Sequence, residues 1–306
     1  MKYLISLTTL FLIGLSMLGF SLKKTQDSQK VAQKDEKIMV TTSFYPLYFF
    51  THEIGKDKIE VINLTPAGAE PHDFELKTQD LLKIHSSQLV LINGLGFEPW
   101  ADKLTSEIID PNKIIKVADG IATPSISPGN STLDPHIWLD PVLAQQMVEK
   151  ITNALIKTDP VNQLYYQTNS QSLQGQLKQL DQLFSDKLSR CQQNKIITSH
   201  NAFGYLAARY HLEQIAVNGL SPDQEPSARQ LAQVTDLAKK MKIKYIFFES
   251  LISPRIAQTI AQELNAKTLV FNPIEGLTSE EVSLGKDYFS IQAENLGNLA
   301  IALECQ

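Results

Sequence analysis

The stretch Leu173-Gln174-Gly175-Gln176-Leu177-Lys178-Gln179-Leu180-Asp181-Gln182-Leu183-Phe184-Ser185-Asp186-Lys187-Leu188 has apolar positions at Leu173, Leu177, Leu180, Phe184 and Leu188. Steps of three and four residues keep these side chains on one face of a helix. Taken back to the break at Asp159-Pro160 and on to Arg190, the segment is roughly thirty residues and would reach about 45 Å at about 1.5 Å per residue. That is long enough to run across two lobes rather than sit within one.

On both sides of it the chain alternates strand and helix. Before it, Lys37 to Thr42, Ile59 to Leu64, Leu89 to Asn93 and Lys113 to Val117 read as strands. Pro46 to Ile54, Thr78 to Ile84 and Pro141 to Ile156 read as the helices among and after them. After it, the strands are Lys195 to Thr198, Glu213 to Val217, Lys244 to Phe248 and Lys267 to Phe271, with helices at Arg229 to Lys240, Pro254 to Leu264 and Ser290 to Glu304. Strands separated by helical crossovers form parallel sheets. The expected fold is α/β: an N-terminal lobe over 38–158, a linking helix over 159–190 and a C-terminal lobe over 191–306.

The N-terminus differs in kind. Lys2 precedes a nearly unbroken apolar run from Tyr3 to Leu22, closed by Lys23 and Lys24. Residues 1–22 read as a signal peptide or membrane anchor, and 23–37, rich in Lys, Gln, Asp and Ser, as a flexible tether. No Cys lies in this region, so a lipoprotein attachment is not expected from the sequence. Export puts the chain in the periplasm or another extracytoplasmic space. There Cys191 and Cys305, neither with a His or another Cys beside it, are expected to form a disulfide rather than a thiol metal site.

An apolar fraction of 43% is ordinary and allows a substantial core. A formal charge of −5 argues against a nucleic-acid partner, which requires a basic face, and suits a cation better. Of six histidines, His52, His85 and His211 lie in ordinary helical or helix-end settings. The other three sit in loops: His72 after a strand, His136 in the proline-flanked turn Asp134-Pro135-His136-Ile137-Trp138-Leu139-Asp140-Pro141, and His200 just beyond the strand ending at Thr198. Open α/β sheets bind ligands at the carboxyl ends of strands, and His72 and His200 fit that rule. Three neutral imidazoles suit Zn²⁺; copper and nickel also accept imidazole.

From Ile38 onward the sequence resembles the ZnuA/TroA-like metal-binding proteins of bacterial zinc and manganese ABC importers. The resemblance rests on Thr41-Thr42-Ser43-Phe44-Tyr45-Pro46, Pro71-His72-Asp73-Phe74-Glu75, Asn93-Gly94-Leu95-Gly96-Phe97-Glu98, the Asp134 to Pro141 turn and His200-Asn201-Ala202-Phe203-Gly204-Tyr205-Leu206. It continues through Gly219-Leu220-Ser221-Pro222, Phe248-Glu249-Ser250 and Asn272-Pro273-Ile274-Glu275-Gly276-Leu277. It implies two lobes bridged by a rigid helix with metal in the cleft, His72, His136 and His200 as ligands, Zn²⁺ as the transported ion, and an ABC permease as partner of a monomeric carrier. A His at position 200 favours Zn²⁺ over the harder Mn²⁺, with a manganese-binding or dual carrier as the alternative.

Two departures from the family pattern stand out. Lys286 occupies the position where relatives often have a carboxylate ligand, so the fourth position is expected to be water, Glu70 or Asp287, the last being equally suited to cap a helix. The linker 121–133 carries no His, unlike the His-rich loop of many zinc-type members. Glu249, and with less support Glu275, are expected to accept an imidazole N–H and orient a metal-binding His. A zinc hydrolase would use the same three His with an open fourth position. No compact His-Glu-x-x-His pattern is present, and ligands drawn from three loops on two lobes suit capture and release, so no enzymatic activity is expected.

Overall fold

The computed structural model describes residues 37–104, 108–121, 133–222 and 226–306. The expected signal or anchor (1–22), nearly all of the tether (23–37) and most of the linker 121–133 lie outside the described residues.

The N-terminal half builds a four-stranded parallel sheet from β1 (Ile38–Thr42), β2 (Ile59–Asn63), β3 (Leu89–Ile92) and β4 (Ile114–Lys116), in the order β2-β1-β3-β4. All four residues of β3 are buried. A continuous apolar run of this kind marks a strand covered on both faces. Between β1 and β2 runs α1 (Tyr45–Gly55), with Pro46 in its first turn, where no N–H is needed. It lays Leu47, Phe50 and Ile54 on the sheet. It ends at Gly55, where a side chain has no room: a Cβ there would stand 2.0 Å from Ile59 Cδ1. Between β2 and β3 lies α2 (Thr78–Ser86).

Two helices follow, α3 (Pro141–Thr158) and α4 (Gln163–Leu188). Asp140 caps α3 by accepting from Val142 N and Leu143 N, the carboxylate at an N-terminus that the orphan N–H groups favour. The buried residues of α4 are Tyr166, Ser170, Leu173, Leu177, Leu180, Phe184 and Leu188, a single stripe in steps of three and four. Near its start α4 is tied to the first lobe, Ser170 Oγ to Thr152 Oγ1 at 2.8 Å and Asn169 Nδ2 to Ile54 O at 2.9 Å. Near its end it is tied to the second, Phe184 stacking on Tyr210 at 5.2 Å and Asp181 accepting the Tyr210 hydroxyl at 2.9 Å. The long helix therefore runs along both lobes.

The C-terminal lobe holds two parallel pairs, β5 (Lys195–Thr198) with β6 (Glu213–Ala216) and β7 (Tyr245–Phe248) with β8 (Lys267–Val270). The helices are α5 (Gly204–Arg209), α6 (Ala228–Met241), α7 (Arg255–Leu264), α8 (Ser279–Ser283) and α9 (Tyr288–Ala302). The short helices α5 and α8 were not expected from the sequence, because one or two turns are too few to show a period. One buried cluster passes through both lobes, from Phe44, Leu47 and Phe50 through Trp138 and Tyr166 to Phe203, Phe271 and Tyr288. Polar ties cross the same seam. Arg209 on α5 donates to both carboxylate oxygens of Asp140, Trp138 Nε1 donates to Pro273 O at 2.7 Å, and the Tyr288 hydroxyl donates to Trp138 O at 2.6 Å.

Cys191 and Cys305 are joined by a disulfide across 114 residues, pinning the end of α9 to the chain entering β5; Gln192 N and Gln193 N also donate to Leu303 O. Closing a loop of this length restricts the unfolded chain. Replacing both cysteines by serine is expected to lower unfolding free energy by about 2–5 kcal/mol, checked by urea denaturation under oxidising conditions.

Candidate metal centre

Each candidate ligand is placed by a loop with its own internal lock. Beyond β2, Thr65 N still reaches Ser43 O at 3.2 Å, and Gly68, at φ 82°, donates its N–H to Leu277 O of the other lobe at 2.8 Å. The chain then makes a single tight turn, Pro71–Asp73, whose cap is Glu70, with Oε1 accepting from His72 N at 3.3 Å. Phe97 sets its ring edgewise to His72, centroids 4.6 Å apart.

Phe97 is in turn held by Glu98. One oxygen of this buried carboxylate accepts from Asn93 N and Ser43 Oγ, both at 2.6 Å, and the other from Gly94 N at 2.9 Å. Burial pushes the Glu98 carboxyl up, and these donors work against that. These residues follow β1 and β3, the two strands between which the sheet order reverses, where open α/β sheets place their ligands. Asn93 Nδ2 extends the lock by donating to Pro135 O at 3.0 Å, fixing the turn that carries His136.

His136 and His200 share one device. Asp134 Oδ1 accepts from His136 N at 2.9 Å and from its Nδ1 at 2.7 Å. Glu249 Oε1, just beyond β7, accepts from His200 N at 3.2 Å and from its Nδ1 at 2.7 Å. A carboxylate at Nδ1 holds the proton there and leaves Nε2 with its lone pair.

The three Nε2 atoms converge on Glu275. Its Oε1 lies 3.4 Å from His72 Nε2, 3.3 Å from His136 Nε2 and 3.3 Å from His200 Nε2. Ligand atoms of all four residues lie within 4.8 Å of one another. None of the three Nε2 atoms and neither Glu275 oxygen has a hydrogen-bond partner, although all are buried. Unpartnered polar atoms at this depth are costly, and lone pairs aimed at a carboxylate repel it. A cation at the centre removes both penalties. A tetrahedron with arms of about 2.0–2.1 Å, the zinc–nitrogen and zinc–oxygen range, has edges of about 3.3–3.4 Å, which matches the three separations between Glu275 Oε1 and the imidazoles.

A proton on an imidazole relieves the same repulsion, in competition with a metal ion. Burial, the largest influence on Glu275, opposes its charge, yet the His200, His136 and His72 imidazoles hold its carboxyl well below the usual range. Burial likewise opposes charge on His200, but the carboxylates of Glu249 and Glu275 outweigh it and hold the imidazole well above its ordinary value. Glu70 is pushed up to about 9, first by burial and then by the Glu275 charge.

The structure thus brings His72, His136 and His200 together and puts Glu249 behind His200. It places Glu275 at the fourth corner rather than behind an imidazole. Glu70 lies beside His72 but outside the group of four. Asp287 caps α9, its Oδ1 accepting from Ser290 N at 2.8 Å, and Lys286 Nζ pairs with Glu294 at 2.8 Å. His52 pairs with Glu53 at the surface, and His85 Nδ1 lies 3.0 Å from Ile108 O. The sequence reading missed Asp134, which does for His136 what Glu249 does for His200. It expected Glu275 behind an imidazole, whereas the structure sets Glu275 Oε1 among the three Nε2 atoms; its place shortly after β8, at the edge that carries His200 and Glu249, was the available signal.

The family model described as zinc-uptake complex component A, periplasmic, matches residues 40–302. The chain belongs to this family. Among relatives, it is 39% identical over 283 residues to the high-affinity zinc uptake system protein ZnuA of Bacillus subtilis, covering 88% of this chain and 89% of that one. It is 35% identical to the zinc-binding lipoprotein AdcA of Streptococcus pneumoniae, covering 96% of this chain and 58% of AdcA. The crystal structure of the Zn(II)-bound ZnuA-like domain of that AdcA superposes with a TM-score of 0.76 at 36% identity, over 88% of this chain and 99% of the domain. Membership in the zinc-uptake family accords with the two-lobe α/β fold and the four-residue centre.

Two outcomes are expected. Glu275→Ala weakens zinc binding by orders of magnitude, whereas Asp287→Ala leaves it unchanged and costs the cap of α9, about 1 kcal/mol of stability; calorimetric titration and thermal melting check both. Because the raised imidazole of His200 must lose a proton before it can bind metal, zinc affinity falls as pH drops through that raised value, so the decline starts above about pH 6.5. Apparent affinities measured across that range, with proton release read from the buffer dependence of the binding enthalpy, check the sign.

Proposed function

We propose that this chain captures Zn²⁺ outside the cytoplasmic membrane and delivers it to an ABC permease, holding the ion with His72, His136, His200 and Glu275. The observation that carries this reading is the set of four buried, unpartnered ligand groups in which Glu275 Oε1 stands one zinc-tetrahedron edge from each imidazole Nε2. Three nitrogens with one carboxylate oxygen suit zinc better than manganese, which prefers oxygen-rich shells.

A hydrolase needs an open fourth position for a water nucleophile. Here Glu275 stands in that position with its side chain fully buried, as are those of His136 and His200, while His72 retains 8% exposure. Enclosure on this scale supports carriage, with His72 on the side through which the ion enters. AdcA of S. pneumoniae is called a lipoprotein. In this chain both cysteines belong to the disulfide, so the apolar run from Tyr3 to Leu22 is the proposed means of export or attachment, and the carrier is proposed to act as a monomer.

The test is metal content and competitive affinity of the purified protein. One tightly bound Zn²⁺, displaced only weakly by Mn²⁺, is expected. His200→Ala is expected to lose affinity by orders of magnitude and His85→Ala to keep it. Tighter binding of Mn²⁺, or equal losses for the two variants, sinks this reading.

A further inference from the structure

Glu275 enters the centre from an unusual piece of backbone. Ile274, immediately before it, has φ 57°, in the left-handed region. Glycine and, less often, asparagine occupy that region cheaply; for a β-branched residue it is an outlier. Proline followed by a residue of positive φ is the pattern of a type II turn, whose third position is ordinarily Gly or Asn. Here Pro273 is followed by Ile, although Gly276 stands two residues further on.

The strain is held in place from several directions. Asn272 Oδ1 accepts from Ile274 N at 2.7 Å, and Asn272 is itself paired through its backbone with Asn295 on α9, at 2.8 and 2.7 Å. Pro273 O accepts from Trp138 of the N-terminal lobe, and Leu277 O accepts from Gly68 N. The Ile274 side chain is fully buried in the core that contains Trp138, Phe203 and Phe271. A Cβ on Gly276 would meet Leu251 Cδ1 at 3.3 Å and Ala69 O at 3.5 Å, so the chain is confined beyond Glu275 as well. Strained residues persist where their surroundings over-determine them, and they gather at functional sites.

We propose that Ile274 is a positioning residue for zinc retention: its strained left-handed backbone, stiffened by the β-branch, restricts the direction of Glu275 so that the carboxylate meets the three imidazoles and is not free to swing away. The left-handed well is narrow for a β-branched residue and wide for glycine. Glycine at 274 would relieve the strain yet let the Glu275 arm wander. Stability and metal retention are therefore predicted to move in opposite directions, which a merely structural core residue would not produce. The proposal rests on the assignment of Glu275 as a ligand.

The experiment compares Ile274→Val, Ile274→Ala and Ile274→Gly in the full chain. Metal-free melting temperature and the rate of Zn²⁺ loss to a chelator in excess are both measured, with Glu275→Gln alongside. Gly loses one buried carbon more than Ala, but only Gly escapes the left-handed penalty, which offsets that loss, so the Gly variant is expected to melt at or above the Ala variant. It is nevertheless expected to release zinc about tenfold faster than the Ala variant, as loss of a strain of this size would permit, while Val stays near wild type. Gly and Ala variants releasing zinc at equal rates, or Gly melting below Ala, overturn the proposal while Glu275→Gln still weakens binding. Unchanged zinc retention in Glu275→Gln overturns the ligand assignment as well.

Discussion

One carboxylate oxygen buried among three imidazole nitrogens is the constraint on which the rest of the structure depends. Glu275 Oε1 and the three Nε2 atoms are sealed from water without hydrogen bonds. Desolvating a charge among lone pairs is tolerable only if a cation or protons compensate. Such a centre is a trap for a small divalent ion, and hydrogen bonds from Asp134 and Glu249 hold two of its imidazoles in place.

The rigidity comes from layers of carboxylates with different tasks. Asp134 and Glu249 each grip one imidazole by both its backbone N–H and its Nδ1, which fixes tautomer and ring direction together. Glu98, more remote, binds no imidazole; it closes the loop that presents Phe97 to His72. Asp140 caps α3 and receives Arg209 from the other lobe. Both lobes therefore build the turn that carries His136, and a continuous aromatic and aliphatic core fills the seam between them. Wide separation of the lobes would expose that core and break several polar ties at once. The His72 side is more lightly covered: of the four side chains it alone keeps measurable exposure, and its turn is a single short 3₁₀ helix beside Glu70.

Much of this was legible without coordinates. The β3 strand is a continuous apolar run, α4 repeats its buried side chains in steps of three and four, and Pro46 and Pro141 mark helix starts. These are local signals, set by neighbours within a few residues. His72 and His200 stood out in loops at the edge where α/β sheets bind ligands, His136 in its proline-flanked turn, and the family resemblance joined the three as a ligand set. The fourth corner did not stand out, because Glu275 and Asp287 are both loop carboxylates near the C-terminus. Each has a local cue, the strand β8 shortly before Glu275 and the helix start just after Asp287, but three unpartnered imidazoles brought from afar decide which one turns inward. Asp287 is claimed by the N–H groups of α9, and Glu275 is aimed by a left-handed Ile274 that local preferences would have argued against.

The sequence by itself determined the α/β class, the long bridging helix, the three histidines and the cysteine pair, because periodicity, proline placement and residue chemistry act over short range. Tertiary structure alone decided that Glu275 completes the centre, that Asp134 joins Glu249 in orienting the imidazoles, and that the lobes share one core. Those outcomes depend on which distant atoms are left without a partner when the chain closes. His72 lies 203 positions from Glu275 in the numbering, and only the packed fold puts their ligand atoms 3.4 Å apart.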